Sequence, residues 1–203
     1  MRAFLCDIGN YKITKNRDLK KLIIHFIRLG GSGKTTTAKS LAIKMNVPCL
    51  DLDEYFIENI GDIAQFINKN GYDAYAVRNV ALYIQLKQSL DSDNRAIIVC
   101  SSGFMIYPEN IQLNYLQLKQ EIENDPLTFL LMPSLDLDKC IEVIVKRQLS
   151  KSYLDTNAEK EEMKVRKRFE IYHNLNCCKV LTNQLVDEVV EKISVLIALK
   201  SDI

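Results

Sequence analysis

A short glycine-rich run carries the clearest chemistry in this chain. Residues 30–36 read Gly-Gly-Ser-Gly-Lys-Thr-Thr, after an apolar stretch at 22–27 and before a helical pattern at 36–45. This order predicts a strand, a tight loop and a helix, which together aim backbone N–H groups and the positive end of a helix dipole at one spot. Such a spot suits a polyphosphate. Lys34 would reach the β- and γ-phosphates of a nucleotide, and the Thr35 hydroxyl would ligate Mg²⁺.

The run matches the phosphate-loop pattern G-x-x-x-x-G-K-[ST] except at its first position, where Arg28 replaces glycine. A side chain there would crowd the start of the loop. We still expect nucleotide binding, and the alternative is a glycine-rich turn that arises by chance. The residues expected to contact the nucleotide phosphates are Gly30, Gly31, Ser32, Gly33, Lys34, Thr35 and Thr36.

Two acids follow the next apolar segment. The stretch 47–53 predicts a short strand that ends in Asp51-Leu52-Asp53. Because side chains alternate along a strand, both carboxylates would lie on the same side. Asp51 would then hold the hydration shell of Mg²⁺ while Asp53 meets a substrate hydroxyl. The alternative is that these acids cap the helix that follows, a role compatible with catalysis.

A buried strand at 95–100 ends at Ser101-Ser102-Gly103. Small residues at a strand end let a ligand approach the backbone and offer it amide donors. An ordinary turn would have the same composition, so both interpretations stay open.

A set of basic residues between positions 146 and 168 is the next candidate group. Mobile cationic side chains stabilise the charge that spreads over a phosphoryl group during its transfer. A polar stretch at 150–157 separates two predicted helices, so a closing lid is expected at about 147–160. For each cation the alternative is a solvated surface position. The set comprises Lys146, Arg147, Lys151, Lys164, Arg166, Lys167 and Arg168.

Strands and helices alternate along the chain. Strands are expected near 22–27, 47–53, 95–100, 127–132 and 179–182. Helices are expected near 36–45, 136–149, 159–172 and 185–199, with two or three more over 55–90 and a helical or loop stretch at 109–124. Such alternation predicts a parallel sheet of about five strands with helices on both faces, and ligands at the carboxyl ends of the strands. We expect a single domain over 1–203, in which residues 1–21 form an extension that adds an edge strand or packs loosely.

Composition narrows the class of protein. The chain has 203 residues, of which 47% are hydrophobic and 26% charged, with a formal net charge of +1. This near balance gives no drive toward nucleic acid or membrane surfaces. The six cysteines include no C-x-x-C pair, and neither a signal peptide nor a membrane span is evident. We expect a cytoplasmic protein, a monomer or weak dimer, whose partner is a small molecule.

Three segments resemble the shikimate kinase family of small phosphate-loop kinases, which have the nucleoside-monophosphate-kinase-like fold. They are GSGKTTTAKSLAIKMNVPCLDLDEYFIE, the buried strand ending in Ser-Ser-Gly, and KRFEIYHNLNCCKVLTN, and the resemblance covers roughly 21–197. It implies a three-layer α/β/α P-loop kinase fold and an ATP- and Mg²⁺-dependent transfer of the γ-phosphoryl group to an acceptor hydroxyl. The loop lysine and threonine that bind ATP and Mg²⁺ in the family match Lys34 and Thr35.

The resemblance also implies roles for residues beyond the loop. Asp51 matches the acid near the metal, and Asp53 matches the acid that contacts acceptor hydroxyls and is a candidate base. Arg168 matches the arginine that binds the acceptor carboxylate. Asn183, after Thr182, lies at the start of a segment similar to the loop that packs on adenine. A lid arginine is also expected, and Arg147 and Lys151 are both candidates, with Arg147 taken as the catalytic one.

The acceptor segment departs from the family. The pattern G-E-x-x-F-R-x-x-E falls on residues 71–79, so that Ala76 replaces the acceptor-binding arginine and Asn79 replaces the glutamate. Arg78 is the nearest cation, although it would point about 200° around the helix from position 76. The usual triple glycine retains only Gly103.

A carboxylate acceptor fits poorly with one arginine missing, since bidentate pairing sets much of the geometry. The leading hypothesis is nevertheless a shikimate kinase-like enzyme. One alternative is a kinase of the same fold for a nucleoside, an antibiotic, another sugar acid or a macromolecule. The other is a nucleotide-binding protein that has lost catalysis.

Overall fold

The fold is described from a computed structural model over residues 22–32, 34–90, 95–150 and 157–201, without the side chains of Lys34 and Ser201. The expectations for residues 1–21, Gly33 and Lys151 therefore lie outside the described residues, as do residues 151–156 of the predicted lid.

Five parallel strands form one sheet in the order β2-β3-β1-β4-β5. The sheet and its parallel pairing confirm the predicted fold class. Because all the strands run the same way, their carboxyl ends meet at one edge of the sheet. The strands are β1 (Leu22–Arg28), β2 (Cys49–Asp51), β3 (Arg95–Val99), β4 (Thr128–Met132) and β5 (Cys178–Leu181).

Helices cover both faces of the sheet. Alternate residues of β1 point to opposite faces, so that Ile24 and Phe26 pack under α1 and α8 while Ile23 and Ile27 pack under the remaining helices. None of the helices in the described part of the chain combines the length and apolarity that a bilayer span needs. The helices are α1 (Lys34–Met45), α2 (Leu52–Asn59), α3 (Ile63–Asn70), α4 (Tyr72–Ser89), α5 (Tyr115–Asn124), α6 (Leu137–Leu149), α7 (Ala158–His173) and α8 (Val186–Ser201).

The prediction of a strand over 47–53 was wrong at its end. Strand β2 stops at Asp51, and α2 begins at Leu52. Asp51 has the extended backbone of a helix N-cap (φ −85°, ψ 117°), and its carboxylate accepts a hydrogen bond from the Asp53 N–H at 3.0 Å. The two acids therefore do not alternate along one strand. Capping by Asp51 places Asp53 in the first turn of α2, above the end of the sheet.

Candidate active site

The loop after β1 is shaped by Gly31. Its φ of +74° lies in the left-handed region that favours glycine. A Cβ at this position would come within 3.1 Å of Ile144 Cγ2 and of Gln148 Cγ, so α6 packs directly on the loop. Both constraints explain the glycine and fix the turn that leads into α1.

The Ser32 hydroxyl is a hydrogen-bonding group of the loop that a ligand could satisfy. Its side chain is fully buried, and its hydroxyl has no hydrogen-bond partner among the described residues. A buried hydroxyl without a partner is unusual, because most such groups are satisfied. A phosphate oxygen in the turn formed by Gly30, Gly31 and Ser32, ahead of α1, would satisfy it. The predicted contacts of Gly33 and of the Lys34 side chain lie outside the described residues.

Thr35 and Asp51, the two residues predicted to bind the metal, are in direct contact. The Thr35 hydroxyl donates a hydrogen bond to Asp51 Oδ2 at 3.1 Å. The described residues contain no group of three or more His, Cys, Asp or Glu side chains placed to hold a metal. The residues therefore fit a Mg²⁺ ion that takes the hydroxyl directly and the carboxylate through water, with phosphate and water as the other ligands.

Arg28 crosses the site to Asp53. Its Nη2 lies 3.5 Å from Asp53 Oδ2, and the two side chains are 13% and 29% exposed. Burial lowers the pKa of Arg28, and the Asp53 and Asp51 carboxylates oppose that change. The sequence showed only that Arg28 occupies a glycine position. It gave no signal that this residue would pair with the candidate base.

A cavity of about 330 Å³ lies between the loop after β1 and helices α3, α4, α6 and α7. Arg168 lines it and donates from Nη1 to the Ser102 carbonyl at 3.3 Å and to the Ser102 hydroxyl at 3.2 Å. The cavity thus has the predicted acceptor arginine on its wall. Its lining residues are Leu29, Gly30, Ile67, Tyr72, Ser102, Ile144, Gln148, Glu161, Lys164, Val165 and Arg168.

Tyr72 occupies the space beside Gly103. A Cβ on Gly103 would collide with the Tyr72 hydroxyl, so the glycine is what allows this ring to approach. Burial raises the pKa of Tyr72, and the nearby Arg168 guanidinium lowers it. Tyr72 is a site residue that the sequence alone did not indicate, and Gly103 is covered by protein rather than open to the cavity.

The segment that departs from the family is buried at both replaced positions, and Asn79 in it has partners for its Oδ1 but none for its Nδ2 among the described residues. Ala76 and Asn79 are fully buried in α4. Asn79 Oδ1 accepts hydrogen bonds from the Ser101 hydroxyl at 3.0 Å and from the Tyr107 hydroxyl at 3.2 Å. A glutamate at position 79 without an arginine at 76 would be a buried charge with no counter-ion, so the two replacements belong together. Arg78 is exposed on the far side of α4 and does not line the cavity, so the structure does not support its predicted role.

Arg147 lies at a second cavity rather than at the first. Its Nη2 donates to the Thr182 carbonyl at 2.8 Å. Its Nη1 and the Thr182 hydroxyl are buried without hydrogen-bond partners among the described residues. Asn183 is exposed and does not line this cavity, whereas its neighbours do. The cavity has a volume of about 180 Å³ and is lined by Thr36, Thr37, Arg147, Thr182, Gln184, Val186 and Val189.

This second cavity begins at the first turn of α1, next to the phosphate loop. Its size, its unpaired donor and acceptor, and its valine walls suit a planar heterocycle with polar edges. Arg147 therefore lies beside this cavity, and its predicted role at the transferred phosphoryl group stays a prediction.

Comparison with known proteins gives a consistent result. A curated shikimate kinase from Enterococcus faecalis (strain ATCC 700802 / V583) is 38% identical over 84 residues, which are 41% of this chain and 47% of that protein. The chain therefore matches about half the length of this relative.

Solved structures share the fold at low identity. A shikimate kinase from Bacteroides thetaiotaomicron has a TM-score of 0.69 at 16% identity, covering 87% of this chain and 98% of that one. A shikimate kinase from Acinetobacter baumannii in complex with shikimate has a TM-score of 0.65 at 18% identity, covering 90% and 96%. The family model described as shikimate kinase matches residues 30–198, most of the chain. Because this match covers most of the chain, and the phosphate loop and the Thr35–Asp51 contact agree with it, the chain belongs to the shikimate kinase family.

Proposed function

We propose that this protein is an ATP- and Mg²⁺-dependent kinase that transfers the γ-phosphoryl group to a hydroxyl of a small hydroxy acid, with shikimate as the first candidate. The observation that carries the proposal is the 3.1 Å contact between Thr35 and Asp51, beside a loop whose buried Ser32 hydroxyl lacks a partner. Family membership supports the general class of reaction.

Each group would have one task. The loop amides and Lys34 would hold the β- and γ-phosphates, and Arg147 would contact the base. Thr35 and Asp51 would hold Mg²⁺, which when bound neutralises charge on the phosphates. Asp53 would accept a hydrogen bond from the acceptor hydroxyl and orient its oxygen toward the γ-phosphorus.

The reaction balances without any further reagent. The acceptor oxygen forms a bond to the γ-phosphorus as the bond to the oxygen bridging the β- and γ-phosphates breaks, and ADP leaves. The hydroxyl proton passes to Asp53 or to water. Since Arg28 pairs with Asp53, orientation of the hydroxyl is the main contribution expected of this carboxylate.

The decisive experiment follows ADP release from purified protein with ATP, Mg²⁺ and shikimate, with the product identified by ³¹P NMR. We expect release to need both the acceptor and the metal. Asp51→Asn should raise the Mg²⁺ concentration required by about tenfold or more, because a charged ligand of the metal's water shell is lost. Asp62→Asn is the matched control, since Asp62 caps α3 as Asp51 caps α2. Calorimetry that detects no binding of Mg²⁺–ATP would refute the proposal.

Two observations favour a second candidate function, a nucleotide-binding protein without transfer activity. The candidate base Asp53 is already paired with Arg28, and α4 carries alanine at position 76. This candidate predicts ATP binding with no acceptor-dependent ADP release for shikimate, other sugar acids or nucleosides. We also propose, from composition, a cytoplasmic protein that is a monomer or weak dimer.

A further inference from the structure

The order of the strands places the Arg28 guanidinium in the acceptor region. Arg28 is the last residue of β1, and Asp53 follows β2, while β3 lies between those two strands. The 3.5 Å ion pair between Arg28 and Asp53 therefore spans the carboxyl end of β3. Ser101 and Ser102 leave the sheet at that end. Arg28 thus precedes the phosphate loop in the sequence, but its guanidinium lies beside Asp53, in the region proposed for the acceptor.

Arg168 reaches the same place from α7. Its guanidinium donates to Ser102, and the Tyr172 hydroxyl donates to the Ser102 carbonyl at 2.9 Å. Burial raises the pKa of Tyr172, whereas Arg168 and Arg28 both lower it, so both cations lie near this one hydroxyl. Two guanidinium groups therefore lie near the Ser102–Tyr172 contact.

One buried hydrogen-bond donor of Arg28 has no acceptor among the described residues. A guanidinium offers five N–H donors in a planar fork. Arg28 Nε is buried and has no hydrogen-bond partner among the described residues. Leaving buried donors of a charged group without acceptors is unfavourable, and a planar carboxylate is the group whose geometry matches the fork.

Arg168 lines the cavity and has no carboxylate partner among the described residues. Lys164, the other cation on the cavity wall, is paired with Glu161 at 2.7 Å, so this pair has no net charge. Asp53 pairs with Arg28, and Asp51 faces Thr35. A carboxylate ligand would give Arg168 a charged partner.

We propose that Arg28 is a specificity-determining residue that binds the carboxylate of a hydroxy-acid acceptor together with Arg168, while its ion pair holds Asp53 toward the acceptor hydroxyl. The new element is the part played by Arg28, a residue at a glycine position of the phosphate-loop pattern. This inference rests on the proposed kinase function for the identity of the site, although it concerns binding of the acid and can be tested without turnover.

The test is calorimetric titration of shikimate, quinate and gluconate, and of shikimate methyl ester, which lacks the charge. Titrations use the full chain with Mg²⁺ and a non-hydrolysable ATP analogue, and are repeated without nucleotide. We expect the wild type to bind at least one acid, and the shikimate ester about 10- to 100-fold more weakly than shikimate. Arg28→Gln should weaken acid binding by about the same factor, weaken ester binding much less through the loss of the Asp53 ion pair, and leave nucleotide binding unchanged.

Two further variants make the result specific. Lys167→Gln removes a charge from an exposed position on α7, next in sequence to Arg168, and should change acid affinity by less than about threefold. Arg28→Lys keeps the charge and loses the fork, so acid affinity should fall about five- to tenfold with ester affinity unchanged. If circular dichroism shows that Arg28→Gln does not fold, the comparison is made with Arg28→Lys alone.

The outcomes separate the two proposals. The role of Arg28 is wrong if no acid binds the wild type, or if acid binding by Arg28→Gln equals that of the wild type. Acid binding that depends on Arg28 without any nucleotide binding would support the inference and remove the kinase function. Nucleotide binding without acid binding would leave the nucleotide site intact and overturn the inference.

Discussion

Asn79→Asp changes a buried amide into a carboxyl group of nearly the same shape, so it tests electrostatics with little change in packing. Asn79 is fully buried, and its Oδ1 already accepts two hydroxyl hydrogen bonds. A carboxylate at this position would keep both bonds but would have no cation in α4, where residue 76 is alanine. The ionised form should therefore be disfavoured in the folded protein.

The expected size follows from the environment of the group. Full burial raises a carboxyl pKa by up to about 3–5 units, and two hydroxyl donors to the ionised form offset part of that rise. A net rise of about 2 units above the unfolded value of about 3.9 corresponds to about 2.7 kcal/mol. Below about pH 4 the group is neutral in both states, so the free energy of unfolding should match that of the wild type. It should fall through pH 4–6 and stay about 2.7 kcal/mol lower above that range.

Urea unfolding of the wild type and the variant between pH 4 and 8, followed by circular dichroism, measures this difference directly. Asn110→Asp is the matched control, because Asn110 is exposed and the same charge change should leave the free energy of unfolding nearly constant with pH. A deficit of equal size at pH 4 and pH 8 would mean that shape rather than charge matters. A deficit below about 0.5 kcal/mol at pH 8 would mean that the carboxylate has a counter-ion, contrary to the argument from Ala76.

Three further substitutions test the nucleotide half of the site. Gly31→Ala should lower the free energy of unfolding by about 1–2 kcal/mol, because alanine is strained in the left-handed backbone of this position. Urea titrations should show a smaller loss in a Gln148→Ala background, where the contact with the Gln148 side chain is removed. Lys34→Ala should abolish ADP release and leave the circular dichroism spectrum unchanged, and an unchanged rate would disprove its role. Arg147→Met should weaken binding of an ATP analogue about tenfold in calorimetry and leave acid binding unchanged, and equal effects on both ligands would argue against a base contact.

Much of the fold could be predicted because its signals are local. The continuous apolar runs of β3 and β4 mark strands buried on both faces, and the glycine-rich loop after β1 marks the start of α1. The error at 47–53 arose where two local signals compete. Period two in a strand and capping of a helix both use an aspartate at position 51, and the cap decided where the strand ends.

Contacts between distant parts of the chain could not be predicted in this way. Alternating strands and helices are compatible with several strand orders, and the order determines which loops meet. The Arg28–Asp53 pair exists because β3 separates β1 from β2 by a single strand. The Arg147–Thr182 bond likewise joins residues 35 positions apart, across the end of β5. From sequence alone, Arg28 was only a departure from the phosphate-loop pattern, and Arg147 was only a candidate lid residue.

Taken one at a time, the departures in the acceptor segment suggest a site that has lost its function. Their arrangement in space argues instead for a rebuilt site. Asn79 Oδ1 accepts from two hydroxyls where a carboxylate would need a cation, and Tyr72 packs against Gly103. Arg28 brings a guanidinium to the region that α4 leaves without one. A site that had merely lost its constraints would have no reason to retain a buried arginine paired with its candidate base, since burying that charge is unfavourable unless the pairing is used.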